Sequence, residues 1–243
     1  MSLVLITGSG RRLGKGLAIE FARKGWDVII HYNQSKENAT ETKKYIEKNF
    51  GVKVFIFESD LSEINSALKN FEKIFREVGV PNVLVNNAAI FPERKFLNEL
   101  DEEIWDKTIS INLKAYLFVS QVYAKYAVQG SRIINIGSLG GIETWKGRIP
   151  YNISKAGVIQ LTKSLAKELA PKISVNCVNP GTILIPYEPS EIDSPLVSID
   201  KIPMQRYGTV FDIFDAVYFF STCSNFITGQ VLNVDGGYHL DRY

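Results

Sequence analysis

Short apolar runs alternate along the chain with longer stretches whose apolar residues recur every three or four positions. LVLIT (3–7), DVII (27–30), VKVFIF (52–57), VLVN (83–86), RIINI (132–136), ISVNCV (173–178) and QVLNV (230–234) read as strands. Several are apolar at consecutive positions, as in strands buried on both faces of a parallel sheet. Between them helical periodicity covers 14–24, 37–49, 62–76, about 101–128, 152–169 and 210–221. Asp60, Ser62 and Asp101 are candidate helix starters, because a short polar side chain can accept an orphan backbone N–H. Gly25, Gly51 and Gly79 follow helices, where a left-handed residue ends the last turn. The alternation predicts a doubly wound α/β fold: a parallel seven-stranded sheet with helices on both faces, in three αβα layers. No linker, repeat or low-complexity tract interrupts it, so residues 1–243 are expected to form one domain.

Composition adds exclusions. A chain of 243 residues can bury roughly 70–75% of its unfolded surface, so its core needs no disulfide or metal. Cys177 and Cys223 are far apart and lack metal-ligand spacing; they read as buried free thiols of a reducing compartment. His31 and His239 are isolated, and neither is assigned a metal or catalytic role. The net charge is +2 with both signs interspersed, as in EKIFRE, which gives no support for a nucleic-acid partner. The opening LVLI is followed rather than preceded by arginines, unlike a signal peptide. No apolar run approaches the ~20 residues of a membrane span. A cytoplasmic protein without a membrane partner is expected.

The loop TGSGRRLGKG (7–16) follows the first predicted strand and opens the first predicted helix. In that context a glycine-rich turn is a candidate dinucleotide site, because backbone N–H groups and a helix N-terminus favour a pyrophosphate. Gly8 and Gly14 permit a tight turn and close approach of a ligand. An NAD site usually places an acid at the end of the second strand, for the ribose 2′-OH. Here that strand ends in HYNQS (31–35), without an acid, and Asp27 lies at its opposite end. Arg11 and Arg12 stand in the loop instead, with guanidinium forks suited to a phosphate. The charge balance favours NADP(H).

Two stretches match at four of five places: YNQSK at 32–36 and YNISK at 151–155. Tyr32 falls where an adenosine ribose would lie, and Asn33 and Ser35 read as a helix cap or phosphate contacts. YNISK has different surroundings. Residues i and i+4 share a helix face, so Tyr151 and Lys155 point the same way. A neighbouring ammonium favours a phenolate and lowers its pKa. Ser138, just after strand RIINI, could hold a substrate oxygen against the tyrosine. Residues 182–203, with four prolines, follow a predicted strand's C-terminal end, where loops surround the ligand crevice. This segment, which includes Tyr187, reads as a substrate lid.

Asp60-Leu61, Asn86 to Ala89, Asn112 in SINL, Asn179 to Gly181 and FITGQVLNVDGG join these motifs in a fixed order. Over essentially its entire length the sequence resembles the short-chain dehydrogenase/reductase family. That resemblance implies a Rossmann-like fold and assigns roles. Tyr151 is the general acid in reduction, Ser138 orients the carbonyl, and Lys155 lowers the tyrosine pKa while holding the nicotinamide ribose. Asn112 anchors a water that relays protons to Lys155. The loop of Gly8, Arg11 to Gly14, with Asn33 and Ser35, meets the phosphates. Asp60 and Leu61 flank the adenine, Asn87, Ala88 and Ala89 line its ribose, and Pro180, Gly181 and Ile183 meet the carboxamide.

Departures from the family pattern point two ways. Arg12 replaces the middle glycine of the loop, and with HYNQS, NNAAIF and PGTILIPYE this is similar to the pteridine reductase branch. There a phenylalanine matching Phe91 handles the pterin ring. That branch carries Asp where Ser138 stands, however, and a serine suits a carbonyl oxygen. Ile185 replaces a threonine common in the family. The leading expectation is an NADPH-dependent reductase of a 3-oxoacyl or small ketone type, with Phe91, Ser138, Tyr151 and Tyr187 facing the substrate. A pteridine reductase is the alternative, and a non-catalytic nucleotide sensor is disfavoured because Asn112, Ser138, Tyr151 and Lys155 are all present. The resemblance also implies a homo-oligomer, dimeric or tetrameric, paired through helices 101–128 and 152–169.

Overall fold

A computed structural model describes residues 2–185 and 197–242, with the side chains of 241 and 242 outside that description. Seven strands form one sheet: β1 (Leu3–Ile6), β2 (Asp27–Tyr32), β3 (Val54–Glu58), β4 (Val83–Asn86), β5 (Ser131–Ile136), β6 (Ile173–Pro180) and β7 (Val231–Val234). Every pairing is parallel, in the order β3-β2-β1-β4-β5-β6-β7. The doubly wound fold is therefore observed.

Successive strand side chains point to opposite faces, and both faces are apolar. Val4 and Ile6 enter one core with α1 (Arg12–Arg23), α2 (Lys36–Phe50) and α7 (Val210–Thr222). Leu5 enters the other, with α3 (Ile64–Val78), α5 (Ala115–Tyr126) and α6 (Ile149–Leu169). Val28, Ile29 and Ile30 repeat the alternation on β2. Each such side chain contributes about 1.5–3 kcal/mol by leaving water, so unbroken runs on the central strands clamp both helix layers to the sheet. The winding reverses between β1 and β4, and the crevice outside the strands' C-terminal ends at that point is where a doubly wound sheet receives ligands.

Local departures from the sequence reading have identifiable causes. The periodic stretch 101–128 is not one uniform helix: α4 (Glu102–Ile109) joins α5 through a π turn, Ser110–Lys114, in which Ala115 N–H reaches back to Ser110 O. Asp101 does cap α4, its Oδ1 accepting from Ile104 N–H at 2.8 Å. Asp60 and Ser62 do not start α3. Asp60 Oδ1 is spent on Ser62 N–H and Oγ–H (2.8 and 2.7 Å), and Glu63 occupies the cap position without a side-chain bond. Gly25 and Gly51 are left-handed as expected, whereas Gly79 (φ 109°, ψ 160°) leaves α3 extended. Cys177 is buried, but Cys223 is partly exposed because it ends α7 rather than facing the sheet.

The expected lid is anchored at both described ends. Ile183 bridges Gly208, with Leu184 N–H donating to Gly208 O (2.9 Å) and Gly208 N–H to Thr182 O (3.0 Å). Beyond the short turn Ile199–Lys201, Ile202 is buried against Leu139 and Tyr238. Residues 186–196, among them Tyr187, lie outside the described residues. No described helix is long and apolar enough to cross a membrane.

Candidate active site

The turn between β1 and α1 is shaped by close approaches. Gly8 adopts φ +63°, and a Cβ there would stand 2.8 Å from Ala88 Cα; one on Gly14 would stand 2.4 Å from Gly8 O. Arg12 holds φ +52° although it carries a side chain, a conformation costing roughly 1–2 kcal/mol. Neighbouring turns pin this loop. Thr7 Oγ1 accepts from Asn87 N–H (2.9 Å) and Ala88 N–H (3.0 Å), while Asn87 Nδ2 donates to Thr7 O (2.8 Å). His31 Nδ1 accepts from Gly8 N–H (2.9 Å), so its proton must sit on Nε2, which donates to Ser59 O (3.0 Å). Burial of the ring lowers the His31 pKa to about 4, with the Ser59 bond and Asp60 pulling weakly the other way. This histidine, isolated in sequence, ties together the turns after β1, β2 and β3.

These turns open one wall of a cleft of about 830 Å³ that continues to the end of β5. Gly8, Arg11, Arg12, Leu13 and Gly14 line its near end, with Asn33, Ser35, Asp60 and Leu61 beside them. Ser35 occupies the cap position of α2 without a side-chain bond and lines the cleft. Burial would raise the Asp60 carboxyl, but hydrogen bonds from Ser62 and Asn33 and the charge of Lys107 hold it below the ordinary range. Asn87 to Ala89, Pro180, Gly181 and Ile183 line the middle, and Phe91, Ser138, Tyr151 and Lys155 the far end. Asn112 does not line the cleft.

Helix α6 begins Ile149-Pro150, a proline being well placed where no intrahelical N–H is needed. Its first turn presents Tyr151, and Lys155 follows on the same face with Nζ 6.0 Å from the Tyr151 ring centre. Lys155 is buried, donates to Ile136 O (2.8 Å), and lies 5.3 Å from the Tyr116 ring centre. Burial lowers its pKa to about 8. The Tyr151 phenol is pushed up by burial, while Ser138 and the Arg148 charge oppose that rise. In this arrangement Lys155 Nζ donates to Ile136 O, and the Arg148 charge acts on the phenol. Ser138 caps the short turn after β5, its Oγ accepting from Gly140 N–H at 3.1 Å. A phenol, a hydroxyl and a buried ammonium thus converge where a carbonyl could be held and protonated.

A family model described as Enoyl-(Acyl carrier protein) reductase matches residues 8–239. The chain belongs to the short-chain dehydrogenase/reductase family. Among its curated relatives is a 3-oxoacyl-[acyl-carrier-protein] reductase of Aquifex aeolicus, 36% identical, the match covering 96% of this chain and 95% of the relative. The enzyme of that name from Staphylococcus epidermidis is 33% identical over 97% of this chain and 98% of the relative. Among solved structures, a short-chain dehydrogenase from Burkholderia cenocepacia in complex with NADP aligns with TM-score 0.90 at 29% identity, covering 98% of each chain. A blue fluorescent protein from a metagenomic library, in complex with NADPH, aligns with TM-score 0.89 at 29% identity, covering 98% of this chain and 97% of that one.

Within this family member Asn112 has a positioning part. Its Oδ1 accepts from Ile90 N–H (2.8 Å), and its Nδ2 donates to Ile90 O (2.9 Å) and Ser154 Oγ (3.2 Å). The side chain is therefore committed to the segment that carries Phe91 and to Ser154, the residue before Lys155. The π turn brings it there. Asn112→Ala is expected to destabilise the fold by about 2–4 kcal/mol, because both Ile90 backbone groups lose their buried partner; denaturant unfolding checks this.

The mouth of the cleft holds residues that the sequence reading passed over. Arg148 Cζ covers the Phe91 ring at 4.1 Å, and Phe91 meets Tyr151 edge-on at 4.6 Å and 87°. Trp145 lies parallel to Tyr151, with centroids 6.0 Å apart and 12° between planes. One face of Phe91 is thus taken by a guanidinium, and the residue lines the cleft. Arg148 and Trp145 fall between Ser138 and Tyr151, and that placement was the available signal. The C-terminal turn packs on its own chain: Tyr238 lines the cleft and His239 pairs with Glu143 at 3.3 Å.

Proposed function

We propose that this chain is an NADPH-dependent reductase that converts a carbonyl of the 3-oxoacyl or small-ketone type to an alcohol. The observation that carries this reading is the placement of Ser138, Tyr151 and buried Lys155 in one cleft with the glycine-rich turn. The names of the Aquifex and Staphylococcus relatives, and the NADP and NADPH of the two similar structures, support it. The residues present fit the cofactor. The Gly8 and Gly14 contacts leave room for no side chain, Arg11 and Arg12 line that end, and β2 ends without an acid to claim a 2′-OH.

The bound cofactor supplies the hydride to the carbonyl carbon. Ser138 Oγ–H donates to the carbonyl oxygen while its lone pair accepts from Gly140 N–H. Tyr151 Oη gives its proton to that oxygen as negative charge develops on it. Lys155, on the same helix face as the phenol, would hold the nicotinamide ribose. Arg12 would hold the 2′-phosphate, so Arg12→Gly is expected to lower the preference for NADPH over NADH by about tenfold or more, since a charge-assisted bond is lost. The kcat/KM ratio for the two cofactors checks it.

Absorbance loss from NADPH, followed with an acetoacetyl thioester, an enoyl thioester and dihydrobiopterin in turn, tests the reaction. The 3-oxo thioester or a simple ketone is expected to be consumed. Consumption of the pterin alone, or of the enoyl thioester alone, would overturn this reading. The active form is a homo-oligomer, dimeric or tetrameric, a reading supported by exposed Leu117 on α5 and Ile153 on α6.

A further inference from the structure

We infer that the substrate is a keto acid whose carboxylate is received by Arg148, Arg94 and Lys146 at the mouth of the cleft. This rests on the carbonyl-reductase reading and deepens it by naming the substrate class.

Two loops, one after β4 and one after β5, are zipped into a single wall. Lys95 N–H donates to Gly147 O (3.0 Å), and Arg148 Nη1 donates to Pro92 O. Gly147, at φ +75°, lets the Arg94 stem lie across it: a Cβ there would stand 2.4 Å from Arg94 Cγ. Lys146 Nζ lies 5.6 Å from the centre of the Phe96 ring. Arg94, Lys146 and Arg148 all line the cleft, Arg94 with its stem across Gly147, and Lys146 and Arg148 with their charged ends over the Phe96 and Phe91 rings.

Among the described residues Asp60 is the one carboxylate lining the cleft, and it lies at the opposite end. Glu143, nearby, is spent on Trp145 Nε1 (2.7 Å) and His239. Glu93 acts on Arg148 through space but does not line the cleft. Arg148 Nε is buried without a hydrogen-bond partner. A guanidinium fixed on an aromatic face keeps its fork preorganised, and that fork matches a carboxylate. Arg148 stands one helical turn before Tyr151, where neighbours are about 5–6 Å apart at Cβ. An anion there lies only a few bonds from a carbonyl held by Tyr151 and Ser138. A short keto acid spans that gap; the thioester end of an acyl carrier brings no charge to it.

The test compares 3-oxobutanoate and 4-oxopentanoate, each against its methyl ester, in NADPH oxidation at low ionic strength. The acids are expected to exceed the esters in kcat/KM by about tenfold or more, a typical yield of one charge-assisted contact, with the gap narrowing as salt is added. In Arg148→Gln and in the double variant Arg94→Gln/Lys146→Gln, whose altered side chains are exposed, the acid-to-ester ratio should fall toward one. Equal or better use of the esters by the native enzyme, or a ratio that survives both variants, overturns the inference. Calorimetric titration with benzoate and with benzamide reads the subsite without turnover. Benzoate binding that the variants lose supports it even if no carbonyl is reduced, an outcome that would sink the reductase reading alone; indifference to charge overturns it.

Discussion

Replacing Tyr151 by phenylalanine is expected to lower kcat for carbonyl reduction by about 10²–10⁴-fold, the usual contribution of a positioned proton donor. The ring remains, so its edge contact with Phe91 at 4.6 Å and its parallel contact with Trp145 at 6.0 Å survive, and the fold should be unaffected. Only the Oη hydroxyl is removed, with its bond to Ser138. NADPH affinity, read by fluorescence titration, is expected to stay within a few-fold of the native value. Burial raises the Tyr151 pKa above its ordinary value near 10. The neutral, proton-bearing phenol therefore prevails throughout the neutral range. Reduction should be insensitive to this group until pH climbs past that raised pKa, whereas alcohol oxidation, which needs the phenolate, should quicken as pH rises. Near-native turnover in Tyr151→Phe would mean that the proton comes from elsewhere.

Acid should weaken the fold through His31, and the size of that effect follows from its environment. Its pKa is about 4 in the folded chain, against about 6.5 when exposed. Between those values the unfolded chain binds the extra proton, so stability is full above about pH 6.5, falls as pH drops toward 4 and levels off below. The difference corresponds to about 3 kcal/mol. The structural reason is burial of the ring, and a proton on Nδ1 would also confront Gly8 N–H, which already donates to that atom. His31→Phe fits among Phe57 and Phe71, whose rings lie 5.2 and 5.6 Å from the imidazole. That variant should lose the acid-dependent part of the unfolding free energy and raise the KM for NADPH, because Gly8 N–H is no longer held. Denaturant titrations at several pH values compare the two proteins directly; identical pH slopes would remove His31 from this role.

The strands were legible because a doubly wound sheet buries both faces of its central members, and LVLIT or RIINI can hardly do anything else. The glycine turn, Ser138, Tyr151 and Lys155 were legible because their chemistry depends on local spacing. What escaped was long-range. The π turn after α4 answers to Ile90, 22 residues away, and no periodicity in 101–128 announces it. His31 looked isolated because its partners, Gly8 and Ser59, are 23 and 28 residues distant. Arg148 and Trp145 sit in a segment without period, and their meaning appears only when the loops after β4 and β5 are brought together. Phe91 was foreseen as a cleft residue; its guanidinium cover, for that reason, was not.

Transfer of label from NADPH carrying deuterium at the pro-S position of C4, the side that the family resemblance implies, tests the shared cleft most directly. Mass spectrometry of the alcohol formed from an acetoacetyl thioester should place the deuterium on the carbinol carbon, with the native enzyme forming it far faster than Tyr151→Phe. Deuterium retained in the oxidised cofactor, or an alcohol formed equally well by the variant, would contradict a mechanism in which hydride and phenolic proton meet one substrate in this site.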